Sequence, residues 1–177
     1  NKKVQNAWAM YDWANSVYSL VITTTIFPIF YNAMTTVREE DGTLVSDVVS
    51  FWGFEFLNTQ LYSYVLATSF LVIIFLSPLL SGMADYAGKK LTFMKIFCYA
   101  GAAGCASMFF FNPDCLEWSM GSLFLANLGF WGSLGFYNAY LPEIAPPEEH
   151  DKLGARGYVM GYIGSVTLLL ICLASIM

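Results

Sequence analysis

Gly82-Met83-Ala84-Asp85-Tyr86-Ala87-Gly88-Lys89-Lys90-Leu91 lies between two long apolar runs. A charged decapeptide between apolar runs reads as a tight turn joining two membrane helices. Gly82 and Gly88 permit a close turn, including a left-handed one, because glycine has no Cβ to clash. Asp85 falls at the end of one helix, and Lys89 and Lys90 open the next. Asp85 cannot be cheaply buried alone, so it is expected beside a cation or a helix N-terminus.

Composition agrees with a membrane setting. Hydrophobic residues make up 57% of the chain, aromatic residues 18% and charged residues only 12%. A soluble domain of this length needs a more charged surface. The formal charge is −5, with most acids in loops, and no basic stripe points to nucleic acid. Cys98, Cys105 and Cys172 sit in apolar runs, Cys115 in a short loop, and no CxxC pair occurs. Neither a disulfide framework nor a metal site is expected, and no cofactor. There is no nucleophile–base set and no Walker-type phosphate loop, so neither an enzyme nor an ATP-driven pump is expected.

A spanning helix needs about 20 mostly apolar residues. Five stretches qualify: Val4 to Ala33, Asn58 to Ala84, Leu91 to Phe111, Trp118 to Leu141 and Gly154 to Met177. The fold expected is an all-α integral membrane protein, residues 1–177 forming a single transmembrane domain in contact with lipid. Lys2, Lys3, Lys89, Lys90, Lys95, Lys152 and Arg156 share one side; Arg38 alone falls on the other, among Glu39, Glu40, Asp41 and Asp47. The positive-inside rule puts the N-terminus and the Asp85 turn in the cytoplasm. Trp52, Phe54 and Phe56 suit the outer interface, and the loop from Met34 to Leu57 is expected to be partly helical. The chain opens on Asn1 rather than Met, so its true start is expected upstream; no cleavable signal is evident. An odd number of spans suits a piece of a longer protein.

Polar stripes mark two segments. Asp12, Ser16, Ser19 and Thr23 share one helical face, with Asn15 beside them and Tyr11 preceding. Such a stripe in a lipid-embedded helix must face protein or water. It serves either as interhelical glue or as a cavity wall, with Asp12 as a partner for a substrate amine or as a proton site. Asn127, Trp131, Leu134 and Asn138 form a weaker face, with Tyr137 beside it. These side chains either bond neighbouring helices, at about 1 kcal/mol each, or contact a polar solute. Gly101 and Gly104, then Gly129, Gly132 and Gly135, then Gly154, Gly157, Gly161 and Gly164 let helices approach closely. Pro142, Pro146 and Pro147 are expected to break regular structure, and Glu143 and Arg156 are candidates for an ion pair across the loop.

The turn's spacing of glycine, aspartate, glycine and basic residues resembles the signature loop between the second and third helices of major facilitator transporters. By that resemblance Gly82, Asp85, Gly88, Lys89 and Lys90 form a gating motif. In it Asp85 docks on the other half of the transporter and helps hold the cytoplasmic side shut. Tyr86 stands where the family often has a basic residue. Tyr11-Asp12-Trp13-Ala14-Asn15-Ser16, Thr23-Thr24-Thr25-Ile26-Phe27-Pro28, Tyr137-Asn138-Ala139-Tyr140-Leu141-Pro142-Glu143-Ile144-Ala145 and Gly161-Tyr162-Ile163-Gly164-Ser165 sharpen the likeness. They resemble the vacuole-effluxer branch, named for a fungal protein that exports amino acids from the vacuole after autophagy. The resemblance covers only the N-terminal part of such a protein, so the missing C-terminal half is an implied partner. It implies a secondary transporter of a small polar solute working by alternating access in a bacterial cytoplasmic membrane. The alternative is a membrane scaffold or assembly subunit that does not transport.

Overall fold

Inside a bilayer no water is available to bond backbone groups, so long apolar runs become helices. The computed structural model describes residues 1–176 and follows that rule. The first rod comprises α1 (Lys2–Asn15), a π-helical stretch (Tyr18–Thr25) and α2 (Ile26–Thr35). Then come α3 (Asn58–Ala87), α4 (Lys90–Ser107), α5 (Leu116–Ile144) and α6 (His150–Ile176). Among the described residues, four helical runs are long and apolar enough to cross a membrane: Lys2–Thr35, Asn58–Ala87, Lys90–Phe110 and Pro147–Ile176. The fifth, α5, has 29 residues and is also long enough to span, at about 1.5 Å rise per residue. Its glycines, serines and Asn127 dilute its apolarity, and Ser119, Leu123, Ala126, Asn127 and Ser133 are buried in protein. The protein is an all-α membrane bundle with about five long helices, as the composition leads one to expect.

The segment between α2 and α3 corrects the expectation of partial helix. It forms two short antiparallel ribbons, β1 (Val37–Arg38) with β2 (Leu44–Ser46), and β3 (Val48–Phe51) with β4 (Phe54–Leu57). The strands are rich in valine and phenylalanine, the loop Glu39–Thr43 closes the first ribbon, and a two-residue turn at Trp52-Gly53 closes the second. In the first turn, Thr43 donates to Asp41 from both its hydroxyl and its backbone N–H. Those two bonds, the hydroxyl's foremost, hold the Asp41 carboxyl below the usual carboxylate range.

The prolines also act otherwise than expected. Pro142 lies inside α5, which runs on to Ile144. The helix stops at the residue before Ala145, whose conformation Pro146 restricts. The last helix starts at His150, four residues earlier than Gly154, after a single turn at Pro147–Glu149. Its expected end at Met177 lies outside the described residues.

The chain divides into two compact units, Asn1–Phe30 with Tyr137–Met177, and Tyr31–Phe136. In the first, α1 and the π-helical stretch lie along α6. In the second, glycines bring α4 and α5 into backbone contact: a Cβ on Gly101 would lie 3.2 Å from the Cα of Gly129. One on Gly104 would lie 2.5 Å from the backbone nitrogen of Ala126. Phe93 and Phe97 of α4 stack on Phe136 of α5, with ring centroids 5.7 and 6.0 Å apart. Asn58, fully buried at the start of α3, donates 3.0 Å bonds to the hydroxyls of Thr35 and Thr36.

Candidate functional site

In the first unit, the stripe of α1 meets the glycine face of α6. Gly157, Gly161 and Gly164 are spaced by four and three residues and therefore share a face. A Cβ on Gly157 would stand 2.8 Å from Tyr137 Oη and 3.0 Å from the Trp8 ring. One on Gly161 would stand 2.7 Å from Ser16 Oγ and 3.0 Å from Asp12 Oδ2. One on Gly164 would collide with the carbonyl oxygen of Trp13. Bare backbone on α6 thus leaves room for the polar side chains of α1.

Asp12 is only 7% exposed, and Ser16 Oγ donates to its Oδ1 at 2.9 Å. Below it the helix loosens. Ser19 Oγ donates to the Ser16 carbonyl at 3.0 Å, and Thr23 Oγ1 to the Ser19 carbonyl at 2.6 Å. Thr24 Oγ1 donates to the carbonyls of Ser19 and Leu20 at 3.1 and 2.8 Å. The π-helical turns widen the backbone, and these hydroxyls supply bonds to its carbonyls. Segments of this kind are rare and are frequent at functional sites. Beside them lies an open groove of about 270 Å³, lined by Ser16, Ser19, Thr24, Tyr158, Tyr162 and Ser165 among others.

Aromatic side chains hold the other end of the stripe. The rings of Trp8 and Tyr137 stack at 4.2 Å and 8°, and Trp8 Nε1 donates to the Tyr137 carbonyl at 3.0 Å. Tyr11 lies 5.3 Å from the same tyrosine ring. Tyr137 is buried, yet its hydroxyl has no hydrogen-bond partner among the described residues, and neither has the Asn15 side-chain nitrogen. Tyr11, Asp12, Asn15, Ser19 and Tyr137 are thus all in this unit, the first four on the opening rod and Tyr137 against it. Asn138, the next residue, is exposed. Glu143 lies in the last turn of α5 and is exposed. Arg156 Nη1 donates to Asn6 Oδ1 at 2.7 Å, a partner on α1 that sequence reading did not name.

In the second unit, Asn127 is buried in α5 and donates its side-chain N–H to Ser69 Oγ of α3. The signature turn closes the α3–α4 connection. Gly88 caps α3 with φ +62°, and the N–H groups of Gly88 and Lys89 return to the carbonyls of Asp85 and Ala84. Only a residue at ease in left-handed space closes a helix this way without strain. Lys90 Nζ meets Asp85 Oδ1 at 2.9 Å, so the cation that the carboxylate needs comes from the same hairpin. Gly82 has open space around it, Lys89 is exposed, and Tyr86 projects at 96% exposure.

Sequence reading missed three parts of this arrangement. Trp8 was given no part in the site, the π-helical turns carry no signal in residue spacing, and Tyr158, Tyr162 and Ser165 were not singled out as groove lining. The four-and-three spacing of Gly157, Gly161 and Gly164 was the visible clue to which face of α6 meets α1.

Comparison with known proteins shows the family of the chain. The chain is 34% identical over 177 residues to a protein of Bacillus subtilis (strain 168) named "Uncharacterized MFS-type transporter YxiO". The match covers 99% of this chain and 38% of that protein, so the chain spans about two fifths of the relative's length. No solved structure matches significantly. A family profile described as "Vacuole effluxer Atg22 like" matches residues 1–177. The chain therefore belongs to the vacuole effluxer Atg22-like family.

Proposed function

We propose that this chain is the N-terminal part of a secondary active transporter that moves a small polar solute, amino acids being the leading class, by alternating access. The observation that carries the proposal is the Asp12–Ser16–Ser19 stripe, running into π-helical turns and lying on the bare glycine face of α6. A carboxylate is costly in a span unless it meets a partner, and such groups mark substrate or ion pathways. Asp12 would pair with the solute's amine or carry a coupled proton. Tyr11, Asn15, Ser19, Tyr137 and Asn138 would supply hydrogen bonds; the buried Asn15 amide and Tyr137 hydroxyl still have bonding capacity. Asn127, already bonded to Ser69, would position α5 rather than touch the solute.

The hairpin would be the gate. Asp85 is half exposed and bound to Lys90 within its own turn, so it is available at the surface for a second partner. In the whole protein it would dock on the missing C-terminal half when the cytoplasmic side closes. The membrane would be a bacterial cytoplasmic membrane, with the N-terminus inside. Facilitator sites lie near the midplane between two repeats, which requires that missing half. A pair around Glu143 and Arg156 would tie the loop before α6.

The test is solute flux in vesicles containing the full-length protein. Asp12→Asn should lower amino-acid flux about tenfold or more, the scale of one lost charge-assisted contact of about 1.4 kcal/mol. Absence of flux from the full-length protein would favour the scaffold reading instead, and unchanged flux in both Asp12→Asn and Asp85→Asn would remove these two residues from the mechanism.

A further inference from the structure

The β3–β4 hairpin stands over a second groove of about 430 Å³, lined by residues of the hairpin, α3 and α5. Phe51, Trp52 and Phe56 line it from the hairpin, Tyr64 from α3, and Met120 and Phe124 from α5. Glu117, in the first turn of α5, is the one carboxylate among the lining residues, and no lysine or arginine lines it. The volume falls in the range of small-molecule sites, and the lining is mostly apolar.

The hairpin is held in an uncommon conformation over this groove. Trp52 has φ +51°, a region that bulky residues rarely enter, and Gly53 follows at +81°. Two consecutive left-handed residues make the tight turn that suits a two-residue hairpin, but that turn ordinarily takes asparagine, aspartate or glycine first. Two contacts hold the tryptophan there. Its backbone N–H donates to Glu117 Oε1 at 3.2 Å, and its ring stacks on Phe51 at 5.0 Å. Glu117 Oε2 accepts no hydrogen bond from the described residues, so the carboxylate keeps an acceptor beside aromatic faces.

The geometry points to a binding site for a membrane phospholipid with a primary ammonium headgroup, its ammonium on Glu117 and its acyl chain along the apolar trough. Carboxylate and aromatic faces together attract a cation. A primary ammonium also donates hydrogen bonds, which a trimethylammonium cannot. The segment that carries the hairpin, between α2 and α3, adds charge complementarity: it holds Glu39, Glu40, Asp41, Asp47 and Glu55 against Arg38 alone. That excess repels a headgroup that is only anionic. A free amine would leave the trough unused, whereas a lipid fills both parts. The exposed Trp52, Phe54 and Trp118 suit the headgroup layer.

The full-length protein, purified and titrated with phosphatidylethanolamine, phosphatidylcholine or phosphatidylglycerol, tests this by native mass spectrometry and thermal unfolding. Phosphatidylethanolamine should bind about fivefold more tightly than the other two, because its ammonium alone donates charge-assisted hydrogen bonds to Glu117. Glu117→Gln should abolish that preference; its amide oxygen can still accept from Trp52, so the hairpin is kept. Gly121→Leu should weaken all three lipids, because Gly121 lines the groove and an added Cβ meets nothing within 4 Å. Equal binding of the three headgroups, or a preference that survives Glu117→Gln, overturns the proposal. So does the absence of any phosphatidylethanolamine binding, which would mean that another part of the chain fills the groove.

Discussion

At the scale of single residues, the surroundings of Asp12, Asp85 and Gly88 set what each can do. Asp12 and Asp85 are both aspartates near helix ends, but their surroundings differ. Asp12 is buried against α6 with a serine donor, and Asp85 is half exposed with a lysine. Removing charge from each should therefore act differently. Asp85→Asn breaks a largely solvated ion pair, which contributes about 0–1 kcal/mol, so the melting temperature of the full-length protein should barely move. If the latch reading holds, flux should nevertheless fall severalfold, and intact flux would remove Asp85 from the gate. Gly88 is a purely structural counterpart. At φ +62° a side chain is strained, so Gly88→Ala should destabilise the hairpin by about 1 kcal/mol, measurable as a lower melting temperature.

At the scale of elements, the contact of α1 with α6 depends on which glycines face inward. Gly164 lies against the Trp13 carbonyl, a backbone atom that cannot swing aside. Gly164→Val should therefore cost about 1–3 kcal/mol by overpacking, seen as early thermal unfolding or poor expression. Gly154 is the internal control: an added Cβ there meets nothing within 4 Å. Gly154→Ala should be neutral, or stabilising by about 0.5–1 kcal/mol through helix propensity. Equal damage from both substitutions would mean that glycine is needed for backbone freedom along the whole helix rather than for contact. The same logic explains the α4–α5 pair, where Gly101, Gly104 and Gly129 allow backbone to touch backbone.

At the scale of the molecule, the chain spans 38% of the relative it matches, and in the proposed transporter its helices would supply one side. Residues 1–177 alone should give no solute flux in vesicles, and robust flux would contradict alternating access between two halves. Orientation has its own test. A cysteine placed at Ala87, next to the Gly88 cap, should resist impermeant maleimide added outside intact cells, and labelling there would reverse the assigned topology.

Apolar runs were enough to identify a membrane bundle, because a bilayer leaves helix as the one local solution for such a run. The signature turn was legible for a similar reason: capping, charge and close reversal are all met within ten consecutive residues. Segments whose structure depends on distant neighbours were not. The loop expected to be partly helical is two β-ribbons, since short segments rich in valine and phenylalanine take the structure their cross-strand partners stabilise. Pro142 stays inside α5, and Thr23 and Thr24 bond the carbonyls of π-helical turns. By itself the sequence determined which stretches are long and apolar enough to cross a membrane and which polar residues they carry. Only the tertiary structure decided that Asp12 lies on bare glycine backbone and that Trp8 covers Tyr137, because burial and contact are properties of pairs brought together from opposite ends of the chain.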